Sequence, residues 1–328
     1  MWRFSLLIAA AGSILAVLFG AEGAFAQSGP SGAAEVVVAT VGNDAILVRD
    51  IDRLLSQVLR EQEVDPAVLP LFQAQTLSEI VDRRLVLAYA RRTKSAPNEA
   101  DIDVALGEFR ATIARQHRSL DQYLQEQSIT EADLRRQIVW NLAWEKYRKR
   151  FVTEERLASY FEHHRREFDG TEVSVSHILL RPAGGDPQTI DELTRHALAI
   201  REEIVSGKVS FAEAAEKHSA GPSGKEGGCL GFIGRRGPMV ESFSRAAFAL
   251  EVGQVSEPVA TRFGVHLIRC DEIKPGSRSL QDSREELEQA LARELLDKLA
   301  RLEERHTPVT FTGKSPHFKP GARELVVP

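Results

Sequence analysis

Between Asp50 and Phe168 apolar residues recur at spacings of three and four through one helical pattern after another, and at Glu172 the period falls to two. A helix-period pattern cannot bury its apolar face as a strand, so this switch divides the chain into unlike parts. In the first part Ile51, Leu54, Leu55, Val58 and Leu59 form a stripe behind Asp50, which can cap it. Leu77, Ile80, Val81, Leu85 and Ala88 make a second stripe, and Asn98 can cap a third helix carrying Ile102, Leu106, Phe109 and Ile113. Thr130 to Asp133 is a capping-box variant that opens a long helix with Leu134, Ile138, Trp140, Leu142, Trp144 and Tyr147. Ahead of them, short apolar runs around Gly42-Asn43-Asp44 read as a small hairpin.

From Glu172, Val173, Val175, His177 and Leu179 alternate with Ser174, Ser176, Ile178 and Leu180, a strand buried on much of both faces and ended by Pro182. A helix follows through Leu193, Ala197, Ile200 and Ile204 to Gly207, and Ser210-Phe211-Ala212-Glu213 is a capping box for a short one. The glycine-rich stretch from Gly221 to Gly237 holds a short strand near Leu230; Glu241 to Leu250 reads as a helix, and Val255 to Ala260 and Val265 to Arg269 as strands. This order is that of an α+β domain of about 100 residues. A last helix, started by Ser279 or Asp282, carries Leu287, Leu291, Leu295, Leu299 and Leu302 along one face; Pro308, a strand candidate at Val309 to Phe311 and a polar tail follow.

A chain of 328 residues is long enough for two domains. Its net charge of -5 argues against nucleic acid as the main partner, since phosphate binding needs excess Lys and Arg. Met1 to Arg3 is basic, Phe4 to Phe19 is apolar or small, and Ala24-Phe25-Ala26 fits a cleavage site before Gln27: a signal peptide of an exported protein, with no cysteine nearby for lipid attachment. Export implies an oxidising compartment, the periplasm by expectation, where Cys229 and Cys270 could pair or remain independent. The expected organisation is a signal peptide (1–26), a leader (27–35), a helical domain (36–168), an α+β domain (171–275), a helix and strand returning to the helical domain (276–312) and a tail (313–328).

Three runs carry a resemblance: Ser176-His177-Ile178-Leu179-Leu180, Phe211-Ala212-Glu213-Ala214-Ala215 and Gly227-Gly228-Cys229-Leu230-Gly231-Phe232. With Gly237-Pro238-Met239, Phe243, Ala246-Ala247-Phe248, Gly253 to Val259 and Thr261 to Ile268, in order and spacing, they resemble the parvulin family of peptidyl-prolyl isomerases. The flanks, from Val36 to Leu47 and through the helical patterns, look like exported foldases of the SurA and PrsA kind. The resemblance implies an α+β parvulin domain, a four-stranded antiparallel sheet with helices, inserted in an all-α chaperone domain. It implies a peptidyl-prolyl cis-trans isomerase that needs no metal or cofactor and whose partners are unfolded or nascent exported polypeptides. By the same resemblance Leu230, Met239 and Phe243 line a proline pocket, and His177, Thr261 and His266 form its hydrogen-bonded floor.

Two positions depart from the family. Gly221 stands where the family carries Asp or Cys, and Cys229 replaces the Asp of its Gly-Gly-Asp-Leu-Gly motif. Slow catalysis is therefore expected, with a holdase whose parvulin domain only binds peptides as the alternative. Arg181 follows the first strand without the Arg pair that would read phosphorylated Ser-Pro. Gly227 to Gly231 fits a nucleophile elbow around Cys229, but loops on both sides argue against it. His163-His164 reads as a solvated pair rather than a metal site.

Overall fold

The computed structural model describes residues 36–328 apart from 60–63, 65, 67, 128, 182–189 and 321–323. The signal peptide and leader read from the sequence, and Pro182, lie outside the described residues. Strands β1 (Val37–Val41) and β2 (Asp44–Leu47) pair as the expected hairpin, with Gly42 supplying a φ of +56° at the turn. Helix α1 (Val48–Leu59) begins before Asp50, whose carboxylate lies in the first turn and accepts the Leu47 N–H at 3.0 Å. Asp50 thus binds back to the helix start instead of capping it.

Helices α2 (Leu69–Arg92), α3 (Glu99–Arg115), α4 (Leu120–Glu126), α5 (Glu131–Phe151), α6 (Glu154–His163) and α7 (Arg165–Phe168) follow. Asn98 caps α3, and Thr130 with Asp133 forms the capping box of α5. The short α4 has its own box, Ser119 with Gln122, which the apolar pattern alone does not separate from its neighbours.

Helix α11 (Arg284–Glu303) and strand β7 (Val309–Phe311) come back to this body. Leu295 and Leu299 pack with Leu77, Val81 and Leu85 of α2 and with Val38 and Ile46, while β7 extends the hairpin into a sheet ordered β2-β1-β7. The first half of α11 faces elsewhere, burying Leu287 with Leu157 and Phe161 of α6. Because the buried face rotates between these two partners, Leu302 is 43% exposed and Glu303 is buried in its place. Glu303 is satisfied there by Arg92 at 2.9 Å and the Thr307 hydroxyl at 2.9 Å. The tail forms a further hairpin, β8 (His317–Phe318) with β9 (Leu325–Val326).

The inserted unit runs through β3 (Glu172–Leu180), α8 (Ile190–Val205), α9 (Phe211–His218), a 3-10 turn (Pro222–Glu226), β4 (Cys229–Gly234), α10 (Glu241–Phe248), β5 (Val259–Thr261) and β6 (Gly264–Lys274). Its sheet is antiparallel throughout, in the order β4-β3-β6-β5. The strand expected from Val255 shrinks to Val259–Thr261, with a single bridge from Val255 to Arg269, because Pro258 has no N–H for the ladder. Conversely β4 is six residues long, its glycines tolerated beside the larger β3 side chains.

Alternation sorts the sheet into two faces. Ile178, Leu180, Val265 and Leu267 pack under α8 and α9 with Leu193, Ala197 and Phe211. Val173, Val175, Ile268 and Cys270 pack under α10 with Phe243, Ala247 and Phe248. His177 and His266 have the parity of the α10 face. Cys229 is exposed and Cys270 buried, and they are not joined.

The two crossings between the bodies are bonded to each other. Arg278 N–H donates to Asp169 O at 2.7 Å, Gly276 N–H to Thr171 Oγ1 at 3.1 Å and Ser283 Oγ–H to Phe168 O at 2.5 Å. Arg235 adds ion pairs to Glu167 and Glu241, and Val68 and Phe72 of the helical body reach into the core under α8.

Candidate active site

His177 lies on β3 and His266 on β6, with register pairs His177–Ile268 and Leu179–His266, so the two imidazoles are diagonal neighbours on one face. Their Nδ1 atoms are 3.3 Å apart, and His266 Nε2 is 2.8 Å from Thr261 Oγ1. Thr261 closes this chain: its hydroxyl oxygen accepts the Phe263 N–H at 3.1 Å and meets His266 Nε2 at 2.8 Å. One proton lies between the two Nδ1 atoms, so one imidazole donates there and the other accepts.

Both rings are neutral at pH 7. Burial, reinforced by the facing His177 and by Arg181, lowers His266 to about 3, and burial lowers His177 as well. Phe243 of α10 stands edge-on to both imidazoles, at 5.8 and 5.4 Å between ring centres.

Above the pair opens a cavity of about 170 Å³ whose walls include Leu230, Met239, Phe243, Leu179 and Phe263. The three apolar residues expected at the proline pocket and both histidines therefore meet at one cavity, with Thr261, 1% exposed, beneath. Leu179, Pro238, Val240 and Phe263 line it too and were not singled out from the sequence. Leu179 had a visible signal, since it shares the strand parity of His177. Phe263, a turn residue without periodicity, had only its place in the family run Thr261 to Ile268.

Gly221 is beside His177. It has φ -80° and ψ 152°, a conformation open to any L-residue, and a Cβ there would stand 3.3 Å from His177 Nε2 and 3.4 Å from Ser219 Oγ. Among the described residues His177 Nε2 has no hydrogen-bond partner. Gly228 is the contrasting case: at φ +82° its Cβ would collide with the His177 carbonyl, and its own carbonyl accepts the His177 N–H at 2.8 Å. Glycine is required there to let β3 approach. Cys229 is followed by a strand and preceded by a 3-10 turn, the reverse of what a nucleophile elbow needs.

Rotation about an X-Pro bond crosses a barrier of ~18 to 20 kcal/mol because amide resonance must be broken. An apolar slot for the proline ring, walled from water and floored by neutral hydrogen-bonding groups, disfavours the charge-separated planar amide relative to the twisted one. Neither a nucleophile nor a metal is needed for that chemistry.

Residues 177–272 match the PPIC-type PPIASE domain family, and residues 2–148 match the SurA-like N-terminal domain family. The peptidyl-prolyl cis-trans isomerase Pin1 of Arabidopsis thaliana is 42% identical over 112 residues, which span 30% of this chain and 93% of that protein. The chain belongs to the parvulin family. The foldase protein PrsA 4 of Bacillus cereus is 36% identical over 172 residues, 51% of this chain and 54% of its own length. The foldase protein PrsA of Halalkalibacterium halodurans is 30% identical over 235 residues, 70% of this chain and 64% of its own. This parvulin thus spans a little over half to about two thirds of the two foldases. No described helix is long and apolar enough to cross a membrane.

Proposed function

We propose that the chain is an exported folding factor in which a peptidyl-prolyl cis-trans isomerase domain, residues 171–275, is inserted in a client-holding helical body made of residues 36–168 and 276–312. The observation that carries this reading is the apolar cavity seated on the neutral Thr261-His266-His177 chain. His177, His266 and Thr261 act on the X-Pro amide, and Leu230, Met239 and Phe243 hold the proline ring. The foldase relatives support unfolded polypeptides as clients, and the signal-like residues 1–26 support export.

The experiment is refolding of a test protein whose slow phase is limited by proline isomerisation, normally tens to hundreds of seconds. Sub-stoichiometric full-length protein should shorten that phase, and His177→Ala should abolish the effect while leaving suppression of aggregation intact. The alternative is a holdase whose parvulin domain only binds peptides. Suppressed aggregation with an unchanged slow phase would establish it in place of the isomerase.

A further inference from the structure

Along β3 the pairing with β4 ends at Ser176–Cys229, and past it the segment from Ser219 to Gly221 takes up the same edge. Ala220 N–H donates to Leu179 O at 2.7 Å, and Leu179 N–H donates in return to Ser219 Oγ at 3.1 Å. The same oxygen accepts the Gly221 N–H at 3.2 Å. One hydroxyl oxygen thus joins a wall of the cavity, Leu179, to the glycine that lies against His177. Gly224 packs behind it, where a Cβ would come within 3.0 Å of Ser219 Cβ. Under this segment His177 Nε2 is closed off from solvent and has no hydrogen-bond partner among the described residues.

We propose that Ser219 is a positioning residue for isomerisation: by accepting two amide hydrogens at once it holds the segment from Ser219 to Gly221 down on His177 and keeps the floor of the cavity dry. Water at that floor would favour the charge-separated planar amide and so oppose rotation. Without the hydroxyl, two amide hydrogens lose their acceptor and recover one only if the segment lifts toward solvent. The Ala220 bond to Leu179 and the Ser219 N–H bond to Ala215 O at 2.9 Å survive that loss, so the domain stays folded while the segment loosens. Ser219 acts through His177, since it does not itself line the cavity. The role rests on the isomerase reading and adds to it a residue outside the slot.

The test is line-shape analysis of an Ala-Pro-Phe peptide with the full chain, which reads the affinity and the rotation rate of bound peptide separately. Ser219→Ala should lower the bound rotation rate about tenfold and leave the affinity within about twofold, because no wall of the slot is removed. Ser219→Thr keeps the acceptor and should recover most of the rate. Gly224→Ala keeps the hydroxyl but displaces it, and should slow rotation as Ser219→Ala does. In a folded Ser219→Ala protein, an unchanged rotation rate, or a lost affinity that accounts for the whole effect, would overturn the role. Where that variant does not fold, a folded Gly224→Ala protein turning bound peptide at the wild-type rate would overturn it.

The imidazole nitrogen resonances of His177, followed in labelled protein without peptide, separate this claim from the reading it rests on. They should move in Ser219→Ala and return in Ser219→Thr. A wild type that turns no peptide would remove the isomerase reading, and the resonances would then decide alone whether the hydroxyl holds the segment on His177: unmoved, they overturn that too. A catalysing wild type matched in rate by Ser219→Ala would remove the positioning role and leave the isomerase reading standing.

Discussion

His177 and His266 face each other Nδ1 to Nδ1 at 3.3 Å, so one nitrogen must donate and the other accept, and protonating the accepting ring sets two donors against each other. Burial holds both rings below the ordinary histidine value of 6.5, and the facing His177 and Arg181 lower His266 further. The unfolded chain takes up protons below pH 6.5 that the folded chain refuses. Stability present above that pH is therefore lost as pH falls, by up to ~1.4 kcal/mol per pH unit for each histidine. Equilibrium unfolding of the full chain between pH 6.5 and 5 should show this slope, and His266→Asn should flatten it. Identical slopes would mean the pair is not buried neutral.

Thr261→Val preserves shape but removes the hydroxyl that serves both His266 Nε2 and the Phe263 N–H. The variant should lose ~1–3 kcal/mol in denaturant unfolding. Thr261→Ser should recover most of it, because the hydroxyl, not the methyl, makes the bonds.

Gly221→Asp places a carboxylate against His177 Nε2 on a backbone that accepts it, since φ is -80°. X-Pro isomerisation should speed up about tenfold, the equivalent of ~1.4 kcal/mol at the barrier. The melting temperature should stay within a few degrees of the wild type. A folded variant no faster than the wild type would mean that the missing carboxylate does not limit the rate.

The rotating face of α11 separates two leucines that look alike in the sequence. Leu299→Ala should cost ~2–5 kcal/mol, because the side chain is buried against α2. Leu302→Ala should change stability by less than ~0.5 kcal/mol, being on the exposed side. Thermal or denaturant unfolding of the pair decides it, and equal losses would contradict the packing.

Local signals carried much of this fold. The caps at Asn98, Thr130 and Ser210 hold in the structure because each is a bond between residues three apart, decided within one turn. The alternation through β3 placed His177 and Leu179 on one face for the same reason. What failed depended on distant partners. Leu302 was assigned by period alone, whereas its exposure is set by α6 and α2 sharing one helix, and the tail hairpin pairs residues with no alternating run to announce them. At the site, His177, His266, Thr261, Leu230, Met239 and Phe243 converge from four separate segments, which only the family motifs made visible.

The central claim is that the cavity over the histidine pair holds proline and turns the preceding amide. Its most direct measurement is magnetisation exchange between cis and trans resonances of an Ala-Pro-Phe peptide with catalytic amounts of the full chain. The wild type should raise the exchange rate above the uncatalysed one, and Phe243→Ala, which removes a wall of the slot, should lower that increment at least tenfold while the chain stays folded. An exchange rate equal to that of free peptide, or one unchanged in a folded Phe243→Ala protein, would contradict the account.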